Sequence, residues 1–190
     1  VARNEEINSK EADLIANFFE KNRELNEYSM QTAATNLSNK SSAFFLGKGV
    51  NRVLADEGAL KLKELSYIDA NGYLSSEFKH GPLALVDESK IAVAIEPSEM
   101  MNDIKGIKTR RGSIIGVGSQ RIDEEGLFDM LLTTPQEIVS PFVHTYFNTI
   151  NLQRLAMNTA IQRLKRIHGD EYSPEMIDMP RNLAKSVTVE

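Results

Sequence analysis

At 190 residues with 41% hydrophobic content, the chain is long enough to bury a full core, and one compact domain with an appended arm or tail is expected. A formal charge of -5, from 22 basic and 27 acidic side chains, offers no broad basic field for a polyanion and excludes nucleic acid as an expected partner. Zero cysteines exclude disulfides, thiolate-bound zinc and a cysteine nucleophile, and the three histidines, His80, His144 and His168, are too scattered to suggest a metal site, so any catalysis must use carboxylate, lysine, histidine or hydroxyl groups, and no metal or cofactor is expected.

The start of the chain, 1–10, is polar rather than signal-like, and no apolar run approaches the roughly 20 residues that span a bilayer. A soluble, cytoplasmic protein is expected, and Val1 in place of an initiator methionine leads us to expect a portion of a longer polypeptide. From 9 to about 36, Leu14, Ile15, Phe18, Phe19 and Leu25 recur at helical spacing amid charge, which predicts one or two amphipathic helices. With the turn-rich 36–40 they form a helical arm or linker over 1–40.

Residues 42–46 are a short apolar run closed by Gly47-Lys48-Gly49, a buried strand followed by a glycine turn. A helical pattern over 51–67 follows, then a polar, glycine-containing stretch over 69–82 that reads as a long and therefore functional loop. Next come a strand at 91–95, a helix near 100–109, and strands at 113–117 and 128–133. After Pro135 and Pro141 a helix continues to about Arg166. Strands that are continuous apolar runs alternating with helices predict a parallel sheet covered on both faces. The tail over 178–190, with a proline and alternating Val187 and Val189, reads as extended.

Gly47 and Gly49 supply two glycines of a dinucleotide fingerprint, but Arg52 stands where the third would allow close helix packing, which argues against that use. In an open parallel sheet, ligands sit beyond the carboxyl ends of the strands, so a phosphate cradle is to be sought after Leu46, Ile95 and Val117. The middle loop is Glu96-Pro97-Ser98-Glu99, whose two carboxylates repel an anion. The domain is therefore not expected to hold a sugar phosphate by itself.

Glu57, Lys61 and Glu64 are spaced i, i+4, i+7 on one helix face. Spacing alone is satisfied by a solvated face with an ion pair. His80, in Glu77-Phe78-Lys79-His80-Gly81-Pro82, sits beside a stiff Gly-Pro turn and is suited to carry a proton near neutral pH. His144 and His168 read as structural or surface histidines, and Lys185 by itself as an ordinary exposed lysine.

Three segments change the weight of these residues. Glu57-Gly58-Ala59-Leu60-Lys61-Leu62-Lys63-Glu64-Leu65-Ser66-Tyr67, then Glu77-Phe78-Lys79-His80-Gly81-Pro82-Leu83-Ala84-Leu85, then Pro180-Arg181-Asn182-Leu183-Ala184-Lys185-Ser186-Val187-Thr188-Val189-Glu190 resemble, in that order, the second sugar-isomerase (SIS) domain of the glucosamine-6-phosphate synthases. The similarity covers roughly 41–190, and its C-terminal segment is the most specific. The resemblance implies an α/β fold, a three-layer sandwich with a mainly parallel, flavodoxin-like sheet, with the SIS domain at 41–178, the helical arm before it and an active-site tail at 179–190.

The resemblance further implies the isomerase half of an enzyme that makes glucosamine 6-phosphate from fructose 6-phosphate and ammonia drawn from glutamine. Glu64 then matches the base that moves a proton between two sugar carbons. His80 matches a ring-opening histidine that reaches into the neighbouring subunit, Lys61 a lysine of ring opening, and Lys185 a lysine that contacts the open-chain sugar. Glu57 and Ala184 join Lys185 as substrate-binding positions. The implied partners are the phosphosugar, an upstream SIS half, a glutaminase domain and a second copy in a homodimer, with no nucleic acid and no membrane.

The chain departs from the family pattern at Asn71, Ser75 and Ser76, and 168–177 reads as an insertion. The cysteine of the glutaminase and the Ser/Thr-rich phosphate loop of the first SIS domain are absent from this sequence. Two rival readings remain at this level, a SIS module that senses a phosphosugar without catalysis and a self-contained phosphosugar isomerase. The first has no need of the base Glu64, and the second needs a phosphate loop.

Overall fold

In the computed structural model, residues 9–119, 126–135, 140–171 and Ser173 are described. The apolar runs become parallel strands β1 (Ser42–Gly47), β2 (Asp69–Leu74), β3 (Lys90–Ile95), β4 (Ser113–Gly118) and β5 (Met130–Thr133), arranged as a 5-stranded sheet in the order β2-β1-β3-β4-β5. The expected parallel sheet is thus present.

Alternation along the strands divides the core in two. Ala43 and Phe45 of β1, Ile91, Val93 and Ile95 of β3, and Ile115 and Val117 of β4 face one cluster. That layer is closed by α2 (Phe18–Ser38), α3 (Asn51–Ser66) and α6 (Pro141–His168). Phe44, Leu46, Ala92, Ala94 and Ile114 face the other side, covered by Met100, by Ile104 and Ile107 of α5 (Met101–Thr109), and by Phe78 of the short α4 (Ser75–Phe78). Helices on both faces explain why strand residues of either parity are apolar, and they make the architecture the expected three-layer α/β sandwich.

The N-terminal segment is helical, as expected, with α1 (Ser9–Ala16) preceding α2. Of the apolar positions that marked it, Ile15 packs against Val143 and Phe147, but the buried face of α2 runs through positions that the apolar spacing did not mark. Leu25 is exposed, whereas Asn22, Asn26, Met30, Ala33, Ala34 and Leu37 are buried. Small and amide side chains bring α2 close to α6 and to the edge strand β5, where Asn26 bonds the backbone of Thr133 in both directions. The helix therefore belongs to the core layer as well as leading into it.

One expectation is corrected. The stretch 69–82 is not a long loop, because Asp69–Leu74 forms β2, paired in register with β1 from Ser42↔Asp69 to Gly47↔Leu74. Its sequence, Asp-Ala-Asn-Gly-Tyr-Leu, lacks an apolar run because the strand lies at the sheet edge and only Ala70 in it is fully buried. Gly72 is required there, since a Cβ would strike the Asp56 carboxylate and lie 2.8 Å from the Asp56 nitrogen on α3. Gly47 is required likewise, for its Cβ would overlap the main chain of Asn51 where α3 begins.

Candidate active site

On α3 the i, i+4, i+7 spacing brings Glu57, Lys61 and Glu64 together as expected. The Lys61 ammonium donates to Glu64 Oε2 at 3.0 Å and lies 3.8 Å from Glu57 Oε1. All three side chains are half-buried, with relative exposures of 32%, 32% and 30% for Glu57, Lys61 and Glu64. The opposite face of the helix holds them in place. Leu54, Ala55, Gly58, Ala59 and Leu62 are buried against β1, β2 and α6, and Ser66 donates to the Ala156 carbonyl at 3.2 Å. The hydrogen bond to Glu64 is the main cause that holds the Lys61 ammonium above the ordinary lysine range, with a weaker contribution from the Glu57 charge, while burial acts in the other direction. A carboxylate flanked by a fixed cation is an arrangement that can take a proton from a carbon acid while the cation steadies the charge that develops.

His80 is placed elsewhere. It is exposed on the turn after α4, where its N–H donates to the Glu77 carbonyl at 3.0 Å. Phe78, two residues earlier, is buried against Phe44 and Tyr73, with ring centroids 5.2 and 5.6 Å away, and buried Ser75 bonds Asp103. The turn is therefore pinned to the core while the imidazole projects from it. Because α3 runs back against the parallel strands β1 and β2, Glu64 in its last turn lies toward the amino end of β2, and His80 follows the carboxyl end of that strand. Among the described residues, no hydrogen bond or ion pair joins His80 to Glu57, Lys61 or Glu64. Ala184 and Lys185 lie outside the described residues.

The carboxyl edge of the sheet carries a cleft of about 330 Å³ between the ends of β1, β3 and β4 and the first turns of α6. Glu96 enters it from a left-handed backbone conformation at φ 50°. Its carboxylate accepts from Ser119 Oγ at 2.9 Å, from the Ser119 N–H at 3.2 Å and from Asn148 Nδ2 at 2.8 Å. Glu99 and His144 also line the cleft, with His144 Nδ1 3.4 Å from Thr134 Oγ1. The acidic loop expected to repel an anion thus faces the place where a phosphate cradle was sought. Sequence reading passed over Asn148 and Asn151. Two asparagines, i and i+3, inside the apolar stripe of α6 were the available signal.

Among the described residues, no helix is long and apolar enough to cross a membrane, and no group of three or more His, Cys, Asp or Glu side chains is arranged to hold a metal ion.

Residues 36–119 match the SIS domain family. The chain is 38% identical over 159 residues to the glutamine–fructose-6-phosphate aminotransferase [isomerizing] of Brucella abortus, an alignment that covers 81% of this chain and 24% of that enzyme. It is 40% identical over 168 residues to the enzyme of the same name from Thermococcus kodakarensis, covering 85% of this chain and 25% of the other. Among solved structures, the C-terminal domain of glucosamine-fructose-6-phosphate aminotransferase from Francisella tularensis superposes with a TM-score of 0.65 at 34% identity, covering 73% of this chain and 40% of that one. A parallel five-stranded sandwich with this match defines a SIS-domain protein. Within that class the chain belongs with the glutamine–fructose-6-phosphate aminotransferases, as their C-terminal SIS portion. It spans about a quarter of the length of the curated relatives it matches.

Proposed function

We propose that this chain supplies the acid–base half of an isomerase site that makes glucosamine 6-phosphate from fructose 6-phosphate, the nitrogen coming from glutamine through domains outside this sequence. The observation that carries the reading is the Lys61–Glu64 pair, 3.0 Å apart and half-buried on α3. In a sequence 38–40% identical to enzymes whose names state this substrate and an isomerising activity, the pair is what such chemistry needs. Once an imine has formed at the ketone carbon, Glu64 removes a proton from the adjacent hydroxyl-bearing carbon and returns one to the carbon that carries nitrogen. The hydroxyl proton leaves as the aldehyde forms, and the nitrogen gains a proton to become the amine, so atoms balance and no redox partner is needed. Lys61 fixes the carboxylate and offsets the charge of the intermediate.

His80, as the ring-opening group, acts on a site built by a second copy of the chain. Its place beyond the opposite end of β2 from Glu64 supports this. Lys185, Ala184 and Glu57 contact the open-chain sugar. The phosphate is held by the upstream SIS half, a division supported by the acidic cleft at this domain's own carboxyl edge. The working enzyme is a cytoplasmic homodimer.

Calorimetric titration with glucosamine 6-phosphate tests the split. Binding is expected when this chain is mixed with the separately produced upstream SIS half and is not expected with either alone. Tight binding by this chain alone would overturn the division of the site.

A further inference from the structure

His80 lies midway along the segment 75–86 that connects β2 toward β3, and both arms of that segment rest on α5. On the entering arm, buried Ser75 donates to the Asp103 carboxylate in the first turn of α5, and Phe78 shares an apolar cluster with Ile104 and Ile107. On the leaving arm, Val86 belongs to the same cluster and Leu83 packs against it. Leu83 Cδ2 lies over Gly106 of α5, 3.6 Å from where a Cβ would stand. Gly112, just past α5, is needed for the fit, since a Cβ there would come within 2.6 Å of Val86 Cγ1. Between the two arms, Lys79, His80 and Gly81 are exposed.

These contacts differ in kind. Apolar burial is non-directional, so it holds the segment down but lets it slide and rotate. A hydrogen bond to a carboxylate fixes distance and direction, and Ser75 to Asp103 is such a bond. Ser75 is the first residue of α4, one helical turn before the exposed Lys79, His80 and Gly81. From there the path to the imidazole is short, because α4 is a single turn and the His80 N–H closes on the Glu77 carbonyl at 3.0 Å. Ser75 is also one of the positions where the chain departs from the family pattern, so this bond belongs to the present sequence and is not carried over by resemblance.

We propose that Asp103 is a positioning residue for His80, acting through Ser75, with α5 as the platform that sets where the imidazole is presented. The inference rests on the reading of His80 as the ring-opening group and adds to that step a residue from another element. Asp103 itself touches no substrate. Its effect passes along α4 to the turn, so losing the bond misplaces His80 while the apolar contacts of Phe78 and Val86 keep the segment folded.

Amide hydrogen exchange of the chain, read by NMR, tests the placement without substrate. The His80 amide is expected to exchange about tenfold faster in Asp103→Ala and in Ser75→Ala, and no faster in the double variant than in either single one. Asp103→Asn, which keeps an acceptor for Ser75, should stay within about threefold of the native rate. The amide of Val93, buried in β3, should be unchanged throughout. In the complete enzyme, Asp103→Ala is expected to lower kcat with fructose 6-phosphate about tenfold at little-changed KM, and Asp103→Asn to recover most of the loss. In a His80→Asn background Asp103→Ala should cost nothing further, because the group it places is gone. The inference is overturned if the His80 amide in Asp103→Ala exchanges at the native rate, if Val93 accelerates equally, or if Asp103→Ala lowers kcat as far with His80→Asn as without it. Failure of the underlying reading looks different: His80→Asn alone would turn over normally while exchange at His80 still answered to Asp103.

Discussion

Asn26 and Thr133 exchange two hydrogen bonds, Asn26 Nδ2 donating to the Thr133 carbonyl at 2.7 Å and the Thr133 N–H donating to Asn26 Oδ1 at 2.8 Å. A carboxamide presents its donor and acceptor much as a neighbouring strand does, so a single side chain of α2 satisfies the open edge of β5. Asn22, one helical turn earlier, adds a longer contact at 3.4 Å and accepts from Arg154 at 2.9 Å. The N-terminal helix is joined to the sheet by directional bonds as well as by apolar contact.

Asn26 is fully buried, and replacing it with alanine strands the Thr133 N–H and leaves the Thr133 carbonyl only the longer contact from Asn22. Asn26→Ala is expected to lower unfolding stability by roughly 2–3 kcal/mol, read as a fall in the urea midpoint at unchanged slope. Asn26→Asp keeps the acceptor but buries a charge facing a carbonyl and should be at least as damaging at neutral pH. An alanine variant as stable as the native chain would show that solvent satisfies the strand edge.

The Lys61–Glu64 bond makes a prediction about pH. Because folding raises the Lys61 pKa, its contribution to stability is fully present below the ordinary lysine value of 10.5 and is lost as pH climbs through the raised value. Lys61→Met should therefore destabilise by the same small amount, roughly 0.2–0.5 kcal/mol for an i,i+3 pair, at pH 6 and at pH 9, and the difference should shrink as pH climbs through the raised value. By NMR, the Lys61 side chain should titrate above the ordinary lysine value of 10.5 and return toward it in Glu64→Gln. Titration of Lys61 at the ordinary lysine value in the native chain would mean the bond does not persist in solution.

For the complete enzyme, Glu64→Gln removes the proposed base and keeps the shape of the side chain. Loss of kcat on the order of 10²–10⁴-fold is expected with little change in KM for the sugar, since neutral glutamine still accepts from Lys61 but cannot take the carbon-bound proton. Hydrogen exchange from solvent into the sugar carbons, measured by mass spectrometry, should vanish with it. Normal turnover in this variant would remove Glu64 from the proton transfer.

What the sequence made legible follows from where information is stored locally. β1, β3 and β4 are continuous apolar runs because both of their faces are buried, and the triplet Glu57, Lys61, Glu64 is visible because helical spacing is fixed. β2 was hidden because an edge strand packed closely against a helix needs glycine and tolerates polar residues, so it imitates a loop. The buried stripe of α2 was hidden for a related reason, since its asparagines serve a partner more than 100 positions away that no local pattern announces. The Glu96–Ser119–Asn148 constellation unites three elements, and only the fold brings them to one cleft.

The turn that bears His80 is the point where packing and the proposed chemistry meet. Phe78 is 1% exposed and sits edge-on to both Phe44 and Tyr73, while its neighbour but one is exposed. The aromatic anchor therefore fixes where His80 starts from without touching what it reaches. Phe78→Leu removes two edge contacts and part of the buried volume, and should cost about 1–2 kcal/mol while leaving the sheet intact. If the imidazole must be presented from a rigid turn to a partner's site, that variant in the complete enzyme should lower kcat by roughly tenfold with fructose 6-phosphate. Glu64 is on another element, so exchange of the carbon-bound proton from an already open-chain substrate analogue should be preserved. Equal losses in ring-dependent turnover and in proton exchange would instead mean that Phe78 supports the whole domain, and that His80 has no separate part in opening the ring.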